Sequence, residues 1–265
     1  MSTVRGRRPD GAAQHPWSTD PYADALRAGR GPLFLRRPDG RLLPLDVERW
    51  CAAADEVDLG LLARCEGAVL DVGCGPGRLV AELAARGMAA LGIDVSEAAV
   101  ARTARLGGAA LVRSVFGPLP AEGRWGTVLL VDGNLGIGGD VRALLDRTAQ
   151  LLVPGGLLMA EAVPQDVDES VHVHLVRGLD VSGGDIRGVD VPAAFPWART
   201  GTPALLRRAR AGGWRAVDQW SVGGRCFVAL RSRTARTSAD APNSAAVTSS
   251  QRARKSSPGR PVEPR

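Results

Sequence analysis

The sequence predicts an α/β protein built on a doubly wound, mostly parallel β-sheet. Between residues 67 and 231, apolar runs of four to seven residues alternate with amphipathic helical stretches. Strands that alternate with helices form βαβ units, whose parallel sheet is covered by helices on both faces. The last two apolar runs flank Gly223-Gly224 and indicate a closing antiparallel hairpin. With 265 residues, 45% of them hydrophobic, the chain is long enough for one such domain and appended segments.

The predicted sheet has seven strands, and most of them are followed by a helix. Strands are expected at 68–72, 89–93, 110–115, 127–131, 156–162, 214–220 and 225–230. Helices are expected at 79–86, 97–106, 141–152 and 205–211. The strands are short and strongly apolar, as is typical of strands that are buried on both faces.

The chain divides into four segments. Residues 1–20 are polar and are expected to form a flexible arm. Residues 21–66 are expected to form an N-terminal cap, with a short helix from Tyr22 to Arg27, a hairpin and two further helices. Residues 67–231 form the sheet domain, with an insertion at 163–201. Residues 232–265 are rich in Ser, Ala, Pro and Arg and are expected to be a disordered basic tail.

The formal net charge of +6 lies entirely at the C-terminal end. Residues 231–265 contain eight basic and two acidic residues, so residues 1–230 are formally neutral. Since a nucleic-acid enzyme normally carries its basic surface on the folded domain, we expect no nucleic-acid partner. No apolar run approaches about 18 residues and no signal peptide is evident, so a cytoplasmic protein without a membrane partner is expected. The oligomeric state is left open.

The four cysteines do not predict a metal or disulfide site. Cys51, Cys65, Cys74 and Cys226 are scattered, with no CxxC pair and no histidine at ligand spacing. Disulfides and zinc are therefore not expected.

A glycine-rich loop is the most informative motif. Val69-Leu70-Asp71-Val72 is an apolar strand, and Gly73-Cys74-Gly75-Pro76-Gly77 follows it directly before a helix. Glycines permit positive φ and let the backbone approach a ligand, while the helix N-terminus offers free N–H groups. In a doubly wound sheet, the carboxyl end of this strand borders the crevice in which ligands bind.

An acidic residue ends the next strand. Leu91-Gly92-Ile93 leads into Asp94, whose carboxylate is placed to accept hydrogen bonds from both hydroxyls of a ribose. The order of strand, glycine loop, helix, strand and terminal acid therefore predicts a cofactor that contains adenosine.

These two motifs resemble those of a known family. Val69 to Gly77 resembles motif I of the class I S-adenosylmethionine-dependent methyltransferases, and Gly92 to Ser96 resembles their second motif. The resemblance runs from about Gly67 to Arg231 and includes the hairpin, which in that fold inserts an antiparallel seventh strand. It implies a Rossmann-like fold and an enzyme that converts S-adenosylmethionine to S-adenosylhomocysteine.

The resemblance also implies roles for individual residues. Asp71 would hold the methionine amino end directly or through water, Gly73 and Gly75 would pass under the cofactor, and Asp94 would bind the ribose. The full set of implied cofactor-binding residues is Asp71, Gly73, Cys74, Gly75, Gly77, Asp94, Val95, Ser114, Val115 and Asp132.

Two other classes of function are weighed against this one. A dinucleotide-binding Rossmann oxidoreductase has a GxGxxG loop, whereas Gly73, Gly75 and Gly77 are spaced GxGxG. A non-catalytic S-adenosylmethionine-binding protein is the second alternative, because Ser114 stands where related enzymes often have an Asp that reaches adenine, and Gly126 replaces another Asp of the family pattern.

The loop after the fourth strand supplies two catalytic candidates. Asp132 and Asn134 lie where class I methyltransferases place residues near the transferred methyl group. Either side chain could orient the methionine end or the acceptor, or Asp132 could simply cap a turn and Asp140 the next helix. The Asn-Pro-Pro-aromatic run of adenine and glutamine N-methyltransferases is absent, which disfavours base or amide methylation.

The insertion supplies further candidates for the acceptor site. His172 and His174 alternate with apolar residues and would share one strand face, so His174 is a candidate general base or part of a solvated face. Phe195 and Trp197 could wall an acceptor pocket, with Arg199 binding an acidic group, or could serve as packing anchors. The expected acceptor is a small molecule whose identity the sequence does not give.

Overall fold

The computed structural model describes residue 17, residues 20–177 and residues 193–232. The expected disordered tail from 233 onward and most of the N-terminal arm lie outside the described residues. In chain order the elements are α1 (Asp20–Ala28), β1 (Leu33–Arg36), β2 (Leu42–Pro44), α2 (Val47–Cys51), α3 (Glu56–Leu62), β3 (Val69–Val72), α4 (Arg78–Ala85), β4 (Ala90–Asp94), α5 (Glu97–Arg105), β5 (Ala110–Val112), β6 (Trp125–Leu130), a 3₁₀ turn (Asn134–Gly136), α6 (Val141–Leu151), β7 (Leu152–Ala162), β8 (Asp168–Arg177), β9 (Phe195–Thr200), α7 (Thr202–Ala211), β10 (Arg215–Val222) and β11 (Arg225–Arg231).

The main sheet has seven strands in the order β10-β11-β7-β6-β3-β4-β5. Strands β3 to β7 are mutually parallel, and β11 is antiparallel to both β7 and β10. The predicted doubly wound sheet with a closing hairpin is therefore confirmed. Only the second hairpin strand runs against the sheet direction.

Two apolar cores lie on the opposite faces of this sheet. Leu70 and Val128 belong to one core, and their chain neighbours Val69 and Leu129 belong to the other. Successive side chains on a strand point to opposite faces, so a strand covered on both sides needs apolar residues at nearly every position. This requirement explains the continuous apolar runs in the sequence, in which Asp71 is the exception within β3.

A second sheet joins the cap to the insertion, in the order β2-β1-β8-β9. Leu33 of β1 faces Arg177 of β8 in an antiparallel ladder, and β8 pairs in turn with β9. The cap segment 21–66 and the insertion 163–201, for which the sequence predicted no pairing, therefore share one antiparallel sheet. Short, irregular apolar runs do not reveal pairing between such distant residues.

The second sheet is attached to the main domain next to the 3₁₀ turn. Trp197 of β9 bridges to Ile137, and a Cβ on Gly136 would lie 2.3 Å from its indole. A third apolar core, which contains Leu26, Leu33 and Val173, fills the space behind this contact. The expectation of a loose arm up to residue 20 is wrong at its end, because Trp17 packs on Tyr22 and α1 begins at Asp20.

Several element boundaries differ from the predicted ones. Strand β5 ends at Val112, before the predicted end at 115, and β7 begins earlier than predicted, at Leu152. The Val153-Pro154-Gly155-Gly156 stretch is therefore an irregular part of β7, with Gly155 at φ 76° and a register shift against β6. None of the helices in the described part of the chain is long and apolar enough to cross a membrane.

Arg231 belongs to the folded domain although its charge was counted with the tail. It ends β11, and its guanidinium donates to both carboxylate oxygens of Glu66 at 2.5 and 2.7 Å. The following Ser232 N–H donates to the carbonyl of Gly156.

We expect a chain shortened after Ser232 to keep its fold. All described strands and helices precede this point, so the melting temperature should stay within about 2 °C of the full chain's. A chain shortened after Gly224, which loses β11 and its ladder with β7, should not unfold cooperatively. Thermal unfolding followed by circular dichroism distinguishes these outcomes, and a large drop for the first truncation would contradict the assignment.

Candidate active site

The glycine loop between β3 and α4 needs all three of its glycines. Gly73, Gly75 and Gly77 have φ values of 71°, 54° and 90°, which side-chain-bearing residues rarely adopt. A Cβ on Gly73 would lie 2.8 Å from the Asn134 amide, and one on Gly77 would lie 2.3 Å from the Thr103 hydroxyl. The GxGxG spacing thus follows from both backbone conformation and close packing.

Asn134 holds this loop in place. Its side-chain amide donates to the carbonyl oxygens of Val72 at 2.8 Å and Gly73 at 2.9 Å. A catalytic role was one interpretation of Asn134; the amide N–H groups instead tie the loop after β6 to the glycine loop. Asn134 also lines the cavity that lies over both loops.

Asp94 lies at the end of β4, beside the glycine loop. One carboxylate oxygen accepts from the Gly75 N–H at 3.0 Å and the other from the Ser96 N–H at 2.8 Å. Burial raises the pKa of Asp94 to about 6, although these N–H donors oppose the shift. Each oxygen retains a further lone pair, and Asp94 and Val95 both line the cavity, as the prediction of a ribose-binding acid requires.

Asp71 is a buried acid with an unsatisfied oxygen. It is 2% exposed, and its Oδ2 has no hydrogen-bond partner. Burial raises the pKa of Asp71 to about 7; Arg78 opposes the rise, and the carboxylates of Asp132 and Asp94 add to it. An unsatisfied buried acceptor is costly, but neither Asp71 nor Gly77 is among the residues that line the cavity, so the structure does not bring these two predicted cofactor-binding residues to its surface.

Six charged side chains form a connected network of ion pairs at the same edge of the sheet, which we call the ionic ring because four of them, Arg78, Asp58, Arg225 and Asp132, close a circuit. It joins two cap helices, α2 and α3, to the helix after the glycine loop and three strand ends, and its members are Arg49, Asp132, Arg78, Asp58, Arg225 and Glu161. Three positive and three negative charges make the ring formally neutral.

Arg78 lies at the centre of the ionic ring. Its guanidinium donates to the Asp58 carboxylate at 2.7 and 3.0 Å and to Asp132 at 2.5 and 3.2 Å. Arg225 donates to Asp58 at 2.8 Å and to Glu161 at 2.9 Å. Burial opposes ionisation of Asp58, but Arg78 and Arg225 outweigh it and lower its pKa to about 2.

The carboxylate of Asp132 is hydrogen-bonded by the arginines of the ionic ring. Its carboxylate accepts from Arg49, Arg78 and Arg225, and its N–H donates to Glu161 at 2.8 Å. Burial raises its pKa, but the three guanidinium groups outweigh this and hold the pKa below its usual range. Asp132 does line the cavity, but a carboxylate bound this way is a poor proton acceptor, so the geometry favours a positioning role over the predicted catalytic one.

The residues after β5 form another part of the cavity wall. Ser114 and buried Val115 line the cavity, together with Arg113 and Phe116. The Ser114 hydroxyl accepts from the Phe116 N–H at 3.3 Å, which keeps this turn compact. Cys74 lines the cavity as well, and burial raises the pKa of its thiol well above the usual value, so the thiol stays protonated.

Two predicted acceptor-site residues lie elsewhere. Val173 and Leu175 of β8 point into the apolar core, so His174 lies on the opposite face and is not among the residues that line the cavity. Arg199 donates to Glu169 at 3.0 Å and to Gln165 at 3.2 Å, also away from the cavity. The structure therefore does not bring the predicted general base or the predicted acid-binding arginine to the site.

Sequence reasoning missed the cap side of the cavity. Trp17, Tyr22, Leu45 and Trp50 all line it, opposite the strand ends. Phe195 and Trp197, which were weighed as pocket walls or packing anchors, serve as both, because they line the cavity and belong to an apolar core. The clustering of aromatic residues in a chain with only 4% aromatics was the available signal.

Replacing Gly77 with Ala should destabilise the protein more than the same change at Gly107. Both glycines have φ near 90°, but a Cβ at Gly107 has no neighbour within 4 Å. We expect losses of about 2–4 kcal/mol for Gly77→Ala and about 1–2 kcal/mol for Gly107→Ala in urea unfolding. Equal losses would contradict the packing of Gly77 against Thr103.

Replacing Asp71 with Asn should change how stability depends on pH. The folded chain retains a proton on Asp71 up to a pKa of about 7, whereas the unfolded chain releases it near 3.8. Stability of the wild type therefore falls with rising pH in this window, by about 1.4 kcal/mol per unit for this one group. The Asn variant lacks this loss, so its stability relative to wild type should improve between pH 4 and 7.

Asp58→Asn should change the pH dependence of stability in the opposite direction to Asp71→Asn. Because the pKa of Asp58 is lowered to about 2, its ionised form contributes stability above pH 4 that is lost as the pH falls towards 2. Its Asn variant should therefore lose most stability relative to wild type at neutral pH. Urea unfolding at a series of pH values measures both trends, and parallel curves for the two variants would contradict these assignments.

Comparison with known proteins agrees with this geometry. Residues 69–156 match a family model described as a methyltransferase domain. Among solved structures, a methyltransferase from Bacteroides fragilis, bound to S-adenosylhomocysteine, superposes with a TM-score of 0.67 at 18% identity and covers 83% of this chain and 98% of its own. The glycopeptide N-methyltransferase MtfA superposes with a TM-score of 0.51 at 16% identity, covering 68% of this chain and 90% of its own. Among curated proteins, none matches the sequence.

The superpositions show a shared fold, and the matched segment contains both motifs on which the sequence resemblance rests. Residues 69–156 therefore resemble a methyltransferase domain, and the chain shares the fold of S-adenosylmethionine-dependent methyltransferases of known structure.

Proposed function

We propose that the protein transfers a methyl group from S-adenosylmethionine to a small-molecule acceptor. The observation that carries this proposal is a single cavity with two unlike halves. The glycine loop, Asp94 and the turn after β5 line one half, and aromatic side chains of the cap and β9 line the other. One half suits a nucleoside-containing cofactor, and the other suits an acceptor beside it.

The residues present fit S-adenosylmethionine. The positive-φ glycines leave the loop backbone open to close approach, and Asp94 has lone pairs free for ribose hydroxyls. Asp71 lies behind the residues that line the cavity, so its unsatisfied Oδ2 would reach the amino group of the methionine end through water. Ser114 and Val115 would contact the adenine, with Val115 supplying an apolar surface. When bound, the cofactor supplies a methyl group on a positively charged sulfur.

The chain's own contribution is binding, orientation and exclusion of water. Asn134 and the ionic ring immobilise the loops on which the cofactor half is built. The cap and β9 cover the cavity with apolar surface. Among the described lining residues, Asp132 is engaged by arginines and Asp94 by backbone N–H groups, so positioning and electrostatics would account for most of the rate enhancement.

The lining of the cavity favours a small acceptor. Beside the glycine loop and the strand ends, only a few of the described side chains of the cap and β9 are left to contact an acceptor. The location expected from the sequence, the cytoplasm, is kept as part of this proposal.

Calorimetry with S-adenosylmethionine and S-adenosylhomocysteine tests the proposal. We expect both to bind the full chain, and Asp94→Ala to weaken binding roughly ten- to hundredfold because it removes charged hydrogen bonds to the ribose. Asp146→Ala, on α6 and outside the cavity, is the matched control and should bind as wild type does.

The outcomes also separate the alternatives. Absence of binding at millimolar ligand would refute both methyl transfer and non-catalytic binding, and binding of a nicotinamide dinucleotide would favour an oxidoreductase. Unchanged affinity in Asp94→Ala would show that the ribose lies elsewhere. Methyl transfer to any acceptor in a compound screen with labelled cofactor would distinguish an enzyme from a binding protein.

A further inference from the structure

The half of the cavity opposite the glycine loop is almost entirely aromatic. We call this half the aromatic enclosure; one member precedes α1 and the others come from the cap and from β9, and they are Trp17, Tyr22, Leu45, Trp50, Phe195 and Trp197. The chain has eleven aromatic residues, and six of them line the cavity, five of these in the enclosure. These rings pack on one another and also line the cavity, so they offer a ligand a flat apolar surface.

The rings of the enclosure hold one another in place. The Trp17 ring lies 5.1 Å from Tyr22, 5.7 Å from Phe195 and 5.3 Å from Trp197 between centroids. Phe195 and Trp197 meet edge to face at 6.1 Å. Edge-to-face contacts of this kind are favourable and leave the walls of the enclosure well ordered before a ligand arrives.

The enclosure adjoins the cofactor half directly. A Cβ built on Gly75 would lie 3.4 Å from the Tyr22 hydroxyl, so this side chain of α1 reaches over the glycine loop. A molecule in the enclosure would therefore lie next to whatever occupies the loop. Adjacency of this kind is what transfer between two bound molecules requires.

The enclosure presents no charge among the described residues. The charged residues that line the cavity are Arg78, Asp94, Arg113 and Asp132, and all four belong to the other half, Arg78 at the start of α4 and the rest at or after strand ends. Three of them are already bound, Arg78 and Asp132 to each other and Asp94 to backbone N–H groups. An ionised group placed in the enclosure would lose its hydration without gaining a counter-charge.

The Tyr22 hydroxyl is a polar group in the enclosure that a ligand could bind. The Tyr22 hydroxyl makes no hydrogen bond with any described residue, although the side chain is only 4% exposed. Burial, with Asp94 adding to the effect, raises the pKa of Tyr22 well above its usual value, so the hydroxyl keeps its proton and can donate. A ligand atom with a lone pair would satisfy it.

From these observations, and resting on the proposed function, we infer that the aromatic enclosure is the acceptor subsite and takes an uncharged, planar aromatic compound with a hydrogen-bond-accepting heteroatom. Flat rings match walls made of flat rings, the absence of charge excludes ionised acceptors, and Tyr22 selects for the heteroatom.

Three probes of nearly equal shape test this inference: quinoline, which is uncharged at pH 8, the cation N-methylquinolinium and the anion quinoline-4-carboxylate. Each is titrated into the full chain, with and without saturating S-adenosylhomocysteine, and followed by tryptophan fluorescence and calorimetry. We expect quinoline to bind at least about tenfold more tightly than either ion. Tighter binding of either ion, or no binding of quinoline, would overturn the inference.

Substitution of tryptophan residues inside and outside the enclosure tests where quinoline binds. Trp197→Leu should weaken quinoline binding, and Trp50→Leu, on a half-buried residue of α2, provides a second test if the first variant does not fold. Trp220→Leu is the control, because Trp220 stacks on Phe227 at 5.3 Å outside the cavity. Quinoline affinity that falls only in the control would place the site elsewhere and overturn the inference.

These experiments distinguish failure of the acceptor inference from failure of the proposed function. If S-adenosylhomocysteine binds but quinoline does not, the acceptor inference is wrong and the proposed function stands. If S-adenosylhomocysteine does not bind, the proposed function is wrong, while the fluorescence titration still reports whether the enclosure takes an uncharged aromatic compound.

Tyr22→Phe should weaken binding of quinoline but not of naphthalene, which lacks the heteroatom. An equal effect on both compounds would overturn the role of Tyr22.

Discussion

The ionic ring around Arg78 is the interaction on which the site depends. It connects segments that are far apart in the chain: Arg49 from the cap, Asp132 from the loop after β6, Glu161 from β7 and Arg225 from the closing hairpin. Removing one partner of a buried ion pair leaves an uncompensated charge and typically costs about 3–5 kcal/mol. The ring therefore holds the cap, the glycine-loop helix and the hairpin in one fixed arrangement at the carboxyl edge of the sheet.

This arrangement gives the cavity one charged side and one aromatic side. Acids and arginines at the strand ends are engaged with each other or with backbone N–H groups, which leaves Asp71 as the buried acid with an unsatisfied oxygen. Opposite them, aromatic rings from residue 17, the cap and β9 line the cavity and carry no charge. The charged side and the aromatic side adjoin where the Tyr22 hydroxyl lies beside Gly75.

The parts of the fold that follow local rules were predictable. Continuous apolar runs identified the buried strands, Asp140 was recognised as the cap of α6 and accepts from Arg142 and Ala143 N–H groups, and the glycine spacing identified the loop. The partners of Asp132 were not predictable. Three arginines from α2, α4 and β11 meet its carboxylate, and nothing in their local sequence distinguishes them from exposed arginines.

The sequence by itself therefore determined the doubly wound sheet, the glycine loop and the acid at the end of β4, because hydrophobic periodicity and backbone conformation act over a few neighbouring residues. Only the tertiary structure decided that the cap and the insertion share a sheet, that His174 faces away from the cavity and that Asp132 is bound by arginines. These features arise from contacts between residues distant in the chain, whose pairing depends on how the whole domain packs.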